Sequence, residues 1–195
     1  MIIIYVNLRN MKMQVSDLYR ELWLLRVKLP ASIDDSDDFL SQGGFSLRTF
    51  TQGRDESVWL ELNSKAFVSH PEQGTWDRLR LEEKMSEPWF NPERFYLCFD
   101  SNNSIAGCVW NKTHMVDKQS IGEIFILCVA PDHQRCGLGR ALVKKSLSKM
   151  IEDNISKAMV YTDATNLRAI SLYQSFGFTL SEIEHIYSQV VTEKH

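Results

Sequence analysis

The residues best suited to chemistry lie in one short run, Gln134-Arg135-Cys136-Gly137-Leu138-Gly139-Arg140. An apolar, strand-like stretch over 123–129 precedes it, and Pro131 ends that stretch. An amphipathic helix follows over 138–151, with Leu138, Leu142, Leu147, Met150 and Ile151 facing inward. The N–H groups in the first turn of a helix have no intrahelical partner, and the helix dipole adds partial positive charge there. A loop in this position is therefore an anion site, and a pyrophosphate fits it. Gly137 and Gly139 let the backbone approach a phosphate closely. Arg135 and Arg140 can add charge-assisted contacts. Other phosphate loops fit poorly. A P-loop needs Gly-Lys-Ser/Thr, whereas Gly139 is followed by Arg140 and Ala141. A dinucleotide fingerprint needs a third glycine, and Leu142 stands in its place. Taken alone, the two glycines favour an ordinary glycine-rich turn.

Downstream residues change that balance. Asn166 and Ala169 precede the series Leu172-Tyr173-x-x-Phe176-Gly177-Phe178. The Gln-x-x-Gly-x-Gly run after a buried strand resembles the acetyl-CoA loop of the GNAT N-acetyltransferase superfamily. The Asn, Ala, Tyr and Gly-Phe series resembles that family's second CoA-contacting helix and its end. Upstream, HPEQG, EPWF, GCVWNK and GEIFILCVAPDHQRCGLG look most like the C-terminal catalytic half of the mycothiol synthases. That resemblance runs from about Leu47 to Tyr187. It implies acetyl transfer from acetyl-CoA, as cosubstrate, to the cysteinyl amine of cysteinyl-glucosaminyl-inositol. It also implies the α+β GNAT acyltransferase fold, a mostly antiparallel sheet with one βαβ acetyl-CoA-binding crossover and flanking helices. Mycothiol synthases carry two acetyltransferase-like domains, and this chain has room for one. The segment YRELWLLRVKLP resembles their interdomain connector. The expected organisation is a connector over 1–44 and an acetyltransferase domain over 45–195.

The resemblance assigns roles to individual residues. Amine attack on a thioester needs a base, an oxyanion donor and an acid for the departing thiolate. An α-amino group has a pKa of about 7.7–8.0, so a weak base suffices near neutral pH. Glu123 is the base candidate, acting through a water; a strand-edge glutamate facing solvent is the plain alternative. Tyr173 is the acid candidate, and a core tyrosine is its plain alternative. Leu127, Cys128 and Val129 match the strand end whose backbone binds the acetyl and pantetheine part of the cofactor. Gln134, Arg135, Cys136, Gly137, Leu138, Gly139 and Arg140 match the pyrophosphate loop, and Asn166, Arg168 and Ala169 match the second contact helix. Glu72, Lys112, Tyr161 and Glu123 match positions that contact the sugar–inositol–cysteine acceptor. A polyol carrying an ammonium group calls for carboxylates, a cation and hydroxyls in a cleft. Cys128 is a core residue on this reading, not a nucleophile, and Cys136 fills a loop position.

These residues need elements to position them. The pattern predicts a strand in FSLRTF, helices over 56–67 and 76–85, and a proline-bounded turn in EPWFNPERF. It predicts a hairpin from strands over 95–99 and 105–110, a buried strand over 123–129 and another strand over 158–162. A helix marked by Ala169, Leu172, Tyr173 and Phe176 ends at Gly177, and residues 178–191 read as a final antiparallel pair. Leu18, Leu22, Leu25 and Leu29 form a helical stripe over 16–29, followed by the acidic linker ASIDDSDDFLSQGG. That linker lacks the glycine and late glutamate of an EF-hand.

Composition narrows the partners. The 195 residues carry 22 Lys+Arg against 25 Asp+Glu, a net charge of −3, so nothing points to nucleic acid or an anionic membrane. A small-molecule amine is the expected partner. The apolar run from Ile124 to Ala130 is too short to span a bilayer, and the N-terminal stretch has neither basic leader nor cleavage site. Cys98, Cys108, Cys128 and Cys136 form no C-x-x-C pair, and no second histidine stands at metal spacing from His70. A cytoplasmic protein with reduced thiols and no metal is expected. Two other functions remain compatible: acetyl transfer to a different amine, and a non-catalytic acetyl-CoA-binding module.

Overall fold

The computed structural model describes residues 18–30, 32–33, 39–68, 70 and 73–187. In chain order the elements are β1 (Leu18–Lys28), α1 (Phe39–Gln42), β2 (Ser46–Thr49), α2 (Glu56–Ala66), α3 (Arg78–Met85), β3 (Phe95–Phe99), β4 (Ile105–Val116), β5 (Gln119–Val129), α4 (Leu138–Glu152), β6 (Lys157–Asp163), α5 (Leu167–Gln174) and β7 (Thr179–Tyr187). Single 3-10 turns stand at Gln73–Thr75, Pro92–Arg94 and Pro131–His133. The described residues fall into two compact units, Lys28–Met159 and the pair of segments 18–27 and 160–187.

In the first unit, β2, β3, β4 and β5 pair antiparallel in sequence order. Helix α4 then carries the chain to the start of β6, which pairs parallel with β5 at Gly122↔Ala158 and Glu123↔Met159. This is the expected antiparallel sheet with one βαβ crossover. Every residue of β3 is buried, as a strand covered on both faces must be. One face holds an aromatic cluster that includes Trp59 and Leu62 of α2, Leu81 of α3, Phe95 and Trp110. Trp110 stacks on Phe95 with centroids 4.4 Å apart and meets Trp59 edge-on at 5.9 Å. These are the geometries that aromatic quadrupoles favour.

The other face takes α4, through small residues. A Cβ on Gly122 would come within 2.5 Å of the Met150 sulfur, so any larger residue there would force the Met150 side chain to shift. Buried Asn111 and Ser146 satisfy each other there: the Ser146 hydroxyl donates to Asn111 Oδ1 at 2.7 Å, and Asn111 Nδ2 donates to the Ser146 carbonyl at 3.3 Å.

Strands β4 and β5 run further than the sequence pattern predicts and form one long hairpin. Its two-residue turn, Asp117-Lys118, has φ of 49° and 64°, the left-handed pair that matches strand twist. The register slips between Trp110↔Ile126 and Asn111↔Ile124, which leaves Phe125 as the extra residue of a β-bulge.

In the second unit, β1 pairs antiparallel with β7 from Leu18↔Tyr187 to Arg26↔Thr179. The helix expected over 16–29 is therefore a strand. Glu21 also accepts from Ala164 N–H at 2.9 Å, so β1 has backbone partners on both edges. That pairing, with Leu24 and Leu25 fully buried across a bulge, outweighs a four-residue leucine spacing. The expected pair over 178–191 is the single strand β7 with β1 as its partner, and 188–191 lie outside the described residues.

Candidate active site

The alternation of β4 puts Lys112 and His114 on the aromatic face of the hairpin, and Glu123 of β5 stands directly opposite Lys112. Glu123 is 8% exposed. Its Oε2 lies 2.5 Å from His114 Nε2. The Lys112 ammonium sits over the rings of Trp89 at 5.0 Å and Phe125 at 5.7 Å, and it forms no ion pair among the described residues. Phe125 reaches this position because it is the bulged residue, and it packs on Trp89 with centroids 5.2 Å apart. The indole N–H groups of Trp76 and Trp110 are buried with no acceptor among the described residues. The result is a half-buried cluster of a carboxylate, an imidazole, a cation and aromatic rings.

Sequence reasoning found Lys112 and Glu123 but missed His114, Trp89 and Phe125 as members of this cluster. The signal for His114 was present: it stands two residues beyond Lys112 in a strand, on the same face. His70 accepts from Gln73 N–H through Nδ1 at 2.9 Å, a turn contact. Glu72, expected to contact the acceptor, lies outside the described residues.

The loop after β5 leads into α4. The Pro131–His133 turn ends β5, and Gln134 Nε2 donates back to the Val129 carbonyl at 3.4 Å. Arg135 adopts φ of 65° and Gly137 φ of 93°, both left-handed. Gly137 is the N-cap of the 15-residue α4 and supplies no capping side chain, so the first-turn N–H groups face outward without one. Cys136 is exposed, and its thiol donates to the His133 carbonyl at 2.9 Å. Beside the loop, a cleft of about 540 Å³ is lined by Gly137, Arg140 and Lys144, with Arg48 and Tyr96 across it. Leu127, Cys128 and Val129 form the end of β5. The hydrogen bond with neighbouring Cys108, sulfurs 3.3 Å apart, and then burial push the Cys128 thiol well above its ordinary range, so it stays protonated in the core.

In the second unit, Asn166 caps α5, its Oδ1 accepting from Ala169 N–H at 3.2 Å. Arg168 is exposed on the first turn. Tyr173, 4% exposed, packs on Phe178 at 5.7 Å, and burial raises its phenol above the ordinary tyrosine range. Tyr161 is on β6 and 38% exposed.

These elements, taken unit by unit, can be compared with known proteins. Residues 57–178 match the model of the Acetyltransferase (GNAT) family, and the chain belongs to that family. Among proteins of known name, the mycothiol acetyltransferase of Pseudarthrobacter chlorophenolicus is 39% identical over 173 residues, which are 88% of this chain and 53% of that protein. The mycothiol acetyltransferase of Streptomyces griseus is 37% identical over 170 residues, 87% of this chain and 54% of that protein. The chain thus spans about half the length of the curated relatives it matches. Among solved structures, a GCN5-related N-acetyltransferase from Sphaerobacter thermophilus has a TM-score of 0.66 at 19% identity, covering 88% of this chain and 51% of that one.

Proposed function

We propose that this chain catalyses transfer of an acetyl group from acetyl-CoA to the cysteinyl amine of cysteinyl-glucosaminyl-inositol. The observation that carries the reading is Glu123, a nearly buried carboxylate directly across from Lys112, held at one oxygen by His114. In this mechanism the acceptor amine loses a proton to Glu123 through a water and attacks the thioester carbonyl. The N–C bond forms, the C–S bond breaks, and the CoA thiolate takes a proton from Tyr173. Burial keeps the Tyr173 phenol protonated, so its proton is available to the departing group. The loop from Gln134 to Arg140 holds the pyrophosphate with backbone N–H groups, and Asn166, Arg168 and Ala169 complete the cofactor's contacts. Backbone at Leu127–Val129 receives the acetyl and pantetheine part. Glu72, Lys112 and Tyr161 bind the acceptor, with Lys112 offering its ammonium to sugar or inositol hydroxyls.

This function belongs to an acetyltransferase domain over 45–195, preceded by a connector over 1–44, working in the cytoplasm. Among the described residues, no helix is long and apolar enough to cross a membrane.

The test is mass-spectrometric detection of acetylated product from acetyl-CoA and cysteinyl-glucosaminyl-inositol, with glucosamine and cysteine as competitors. Preferential acetylation of the conjugate is expected; equal or exclusive reaction of another amine overturns the acceptor assignment. Glu123→Gln is expected to lower kcat by about 10²–10⁴, the range for a general base, while acetyl-CoA affinity stays unchanged. Wild-type turnover in that variant removes Glu123 from the mechanism.

A further inference from the structure

We infer that His114 is the positioning residue for the catalytic base, fixing the Glu123 carboxylate so that one oxygen is free for the amine. The inference rests on the proposed role of Glu123. Its geometry comes from the hairpin register. Lys112 is paired with Glu123 and His114 with Ile121, so His114 is the diagonal neighbour of Glu123 on the same face. A long side chain spans that diagonal, and His114 Nε2 donates to Glu123 Oε2. Glu123 Oε1 has no partner among the described residues.

The other charged groups leave this arrangement intact. On the same face of the hairpin the remaining one is Lys112, and the rings of Trp89 and Phe125 hold its ammonium. Lys157, at the start of β6, is engaged by Gln119 at 3.1 Å. Trp76 and Trp89, packed against Phe125, bring no charge. Among the described residues, the imidazole is therefore the group that fixes the carboxylate.

Two features give the contact a function beyond stability. The His114 side chain is 28% exposed and that of Glu123 10%, so the pair keeps some access to solvent. A carboxylate held at Oε2 presents Oε1 in one direction. An active-site group misplaced by about 1 Å loses about a hundredfold in rate.

The test compares His114→Ala with His114→Gln, whose amide also donates a hydrogen bond but does not titrate. His114→Ala is expected to lower kcat for the acceptor by about tenfold or more, with acetyl-CoA affinity and melting temperature near wild type. His114→Gln is expected to recover most of that loss. Nitrogen-15 NMR of the imidazole adds a readout independent of the acceptor. Wild-type protein should show the Nε2-protonated ring, and Glu123→Gln should shift that signal. An unshifted signal overturns the inference, and so does His114→Ala turning over like wild type. A shifted signal in a protein that acetylates no conjugate supports the hold on Glu123 while overturning the acceptor assignment.

Discussion

Gly137→Ala perturbs the point where backbone geometry and anion binding meet. Gly137 has φ of 93°, and it caps a helix whose first-turn N–H groups face outward. Left-handed backbone costs an L-residue about 1–2 kcal/mol. A new Cβ would also stand 3.1 Å from the Phe39 ring, which must give by a few tenths of an ångström. The chain has two responses. It can keep the loop and bear the strain, which lowers the melting temperature by roughly 2–8 °C at about 2–4 °C per kcal/mol for this size. Or it can rotate to negative φ and re-aim the N–H groups. Losing one hydrogen bond to a charged phosphate, about 1.5–3 kcal/mol, weakens acetyl-CoA binding by roughly 10–100-fold. Calorimetric titration with acetyl-CoA and a thermal melt separate these responses. Gly53→Ala is the control: its φ is 84° and its Cβ would meet nothing within 4 Å. It should lower the melting temperature and leave acetyl-CoA affinity alone. A Gly137→Ala protein with unchanged melting temperature and unchanged affinity refutes the reasoning.

Two further substitutions test the frame around the site. Asp55, 2% exposed, takes a fork of hydrogen bonds from Arg48 at 2.5 and 2.8 Å and one from Thr51 N–H at 2.7 Å, and the Arg48 bonds hold its carboxyl below the usual range. Its folded pKa is depressed, so its stabilisation is complete above about 4 and fades as pH falls through the folded value. Asp55→Asn should cost about 1–3 kcal/mol at pH 7, and denaturant melts should show that difference shrinking below pH about 4; a difference constant with pH would contradict the ionic account. Asn111→Ala strands the buried Ser146 hydroxyl and should also cost about 1–3 kcal/mol. The double change with Ser146→Ala should cost less than the sum of the two single changes, so additive losses in a double-mutant cycle would count against a coupled pair.

The sequence was most readable where burial dictates a simple period. β3, the end of β5 and α4 are apolar on the faces that meet the core, and their spacing located them to within a few residues. The middle of the hairpin, from Asn111 to Gly122, was illegible for a physical reason. Its outward face carries Lys112 and His114, and its inward face carries Asn111 and Thr113, so no apolar alternation survives. Asn111 is buried yet polar because Ser146 satisfies it, and Thr113 accepts Arg94 at 2.6 Å. The amino-terminal strand failed in the opposite way. Leucines at 18, 22, 25 and 29 fit a helix, but β1 is decided by two neighbouring backbones that lie far away in the chain. Of the site, the loop over 134–140 was legible as a turn opening α4, and its expected role came from the resemblance. The pairing of Glu123 with His114 was not, because it depends on a register no local pattern encodes.

That register turns on one residue. Between Cys108↔Cys128 and Trp110↔Ile126 the strands pair without a slip, and beyond Phe125 they pair one position out of step. Carried on without the bulge, the first register would set Glu123 against Thr113 instead of Lys112. Side chains alternate with a period of two, so that shift would turn Glu123 to the α4 face. There it would meet the Arg94 that already binds Thr113 and Asp153, and it would be a structural ion in a helix interface. The bulge turns the carboxylate toward His114, and the extra residue, Phe125, is itself a seat for the Lys112 ammonium. A single inserted aromatic thus selects the face that Glu123 takes and also packs on that face. This is a reason for a bulge to stand at this point of β5, and not at an edge where sheet geometry alone would favour one.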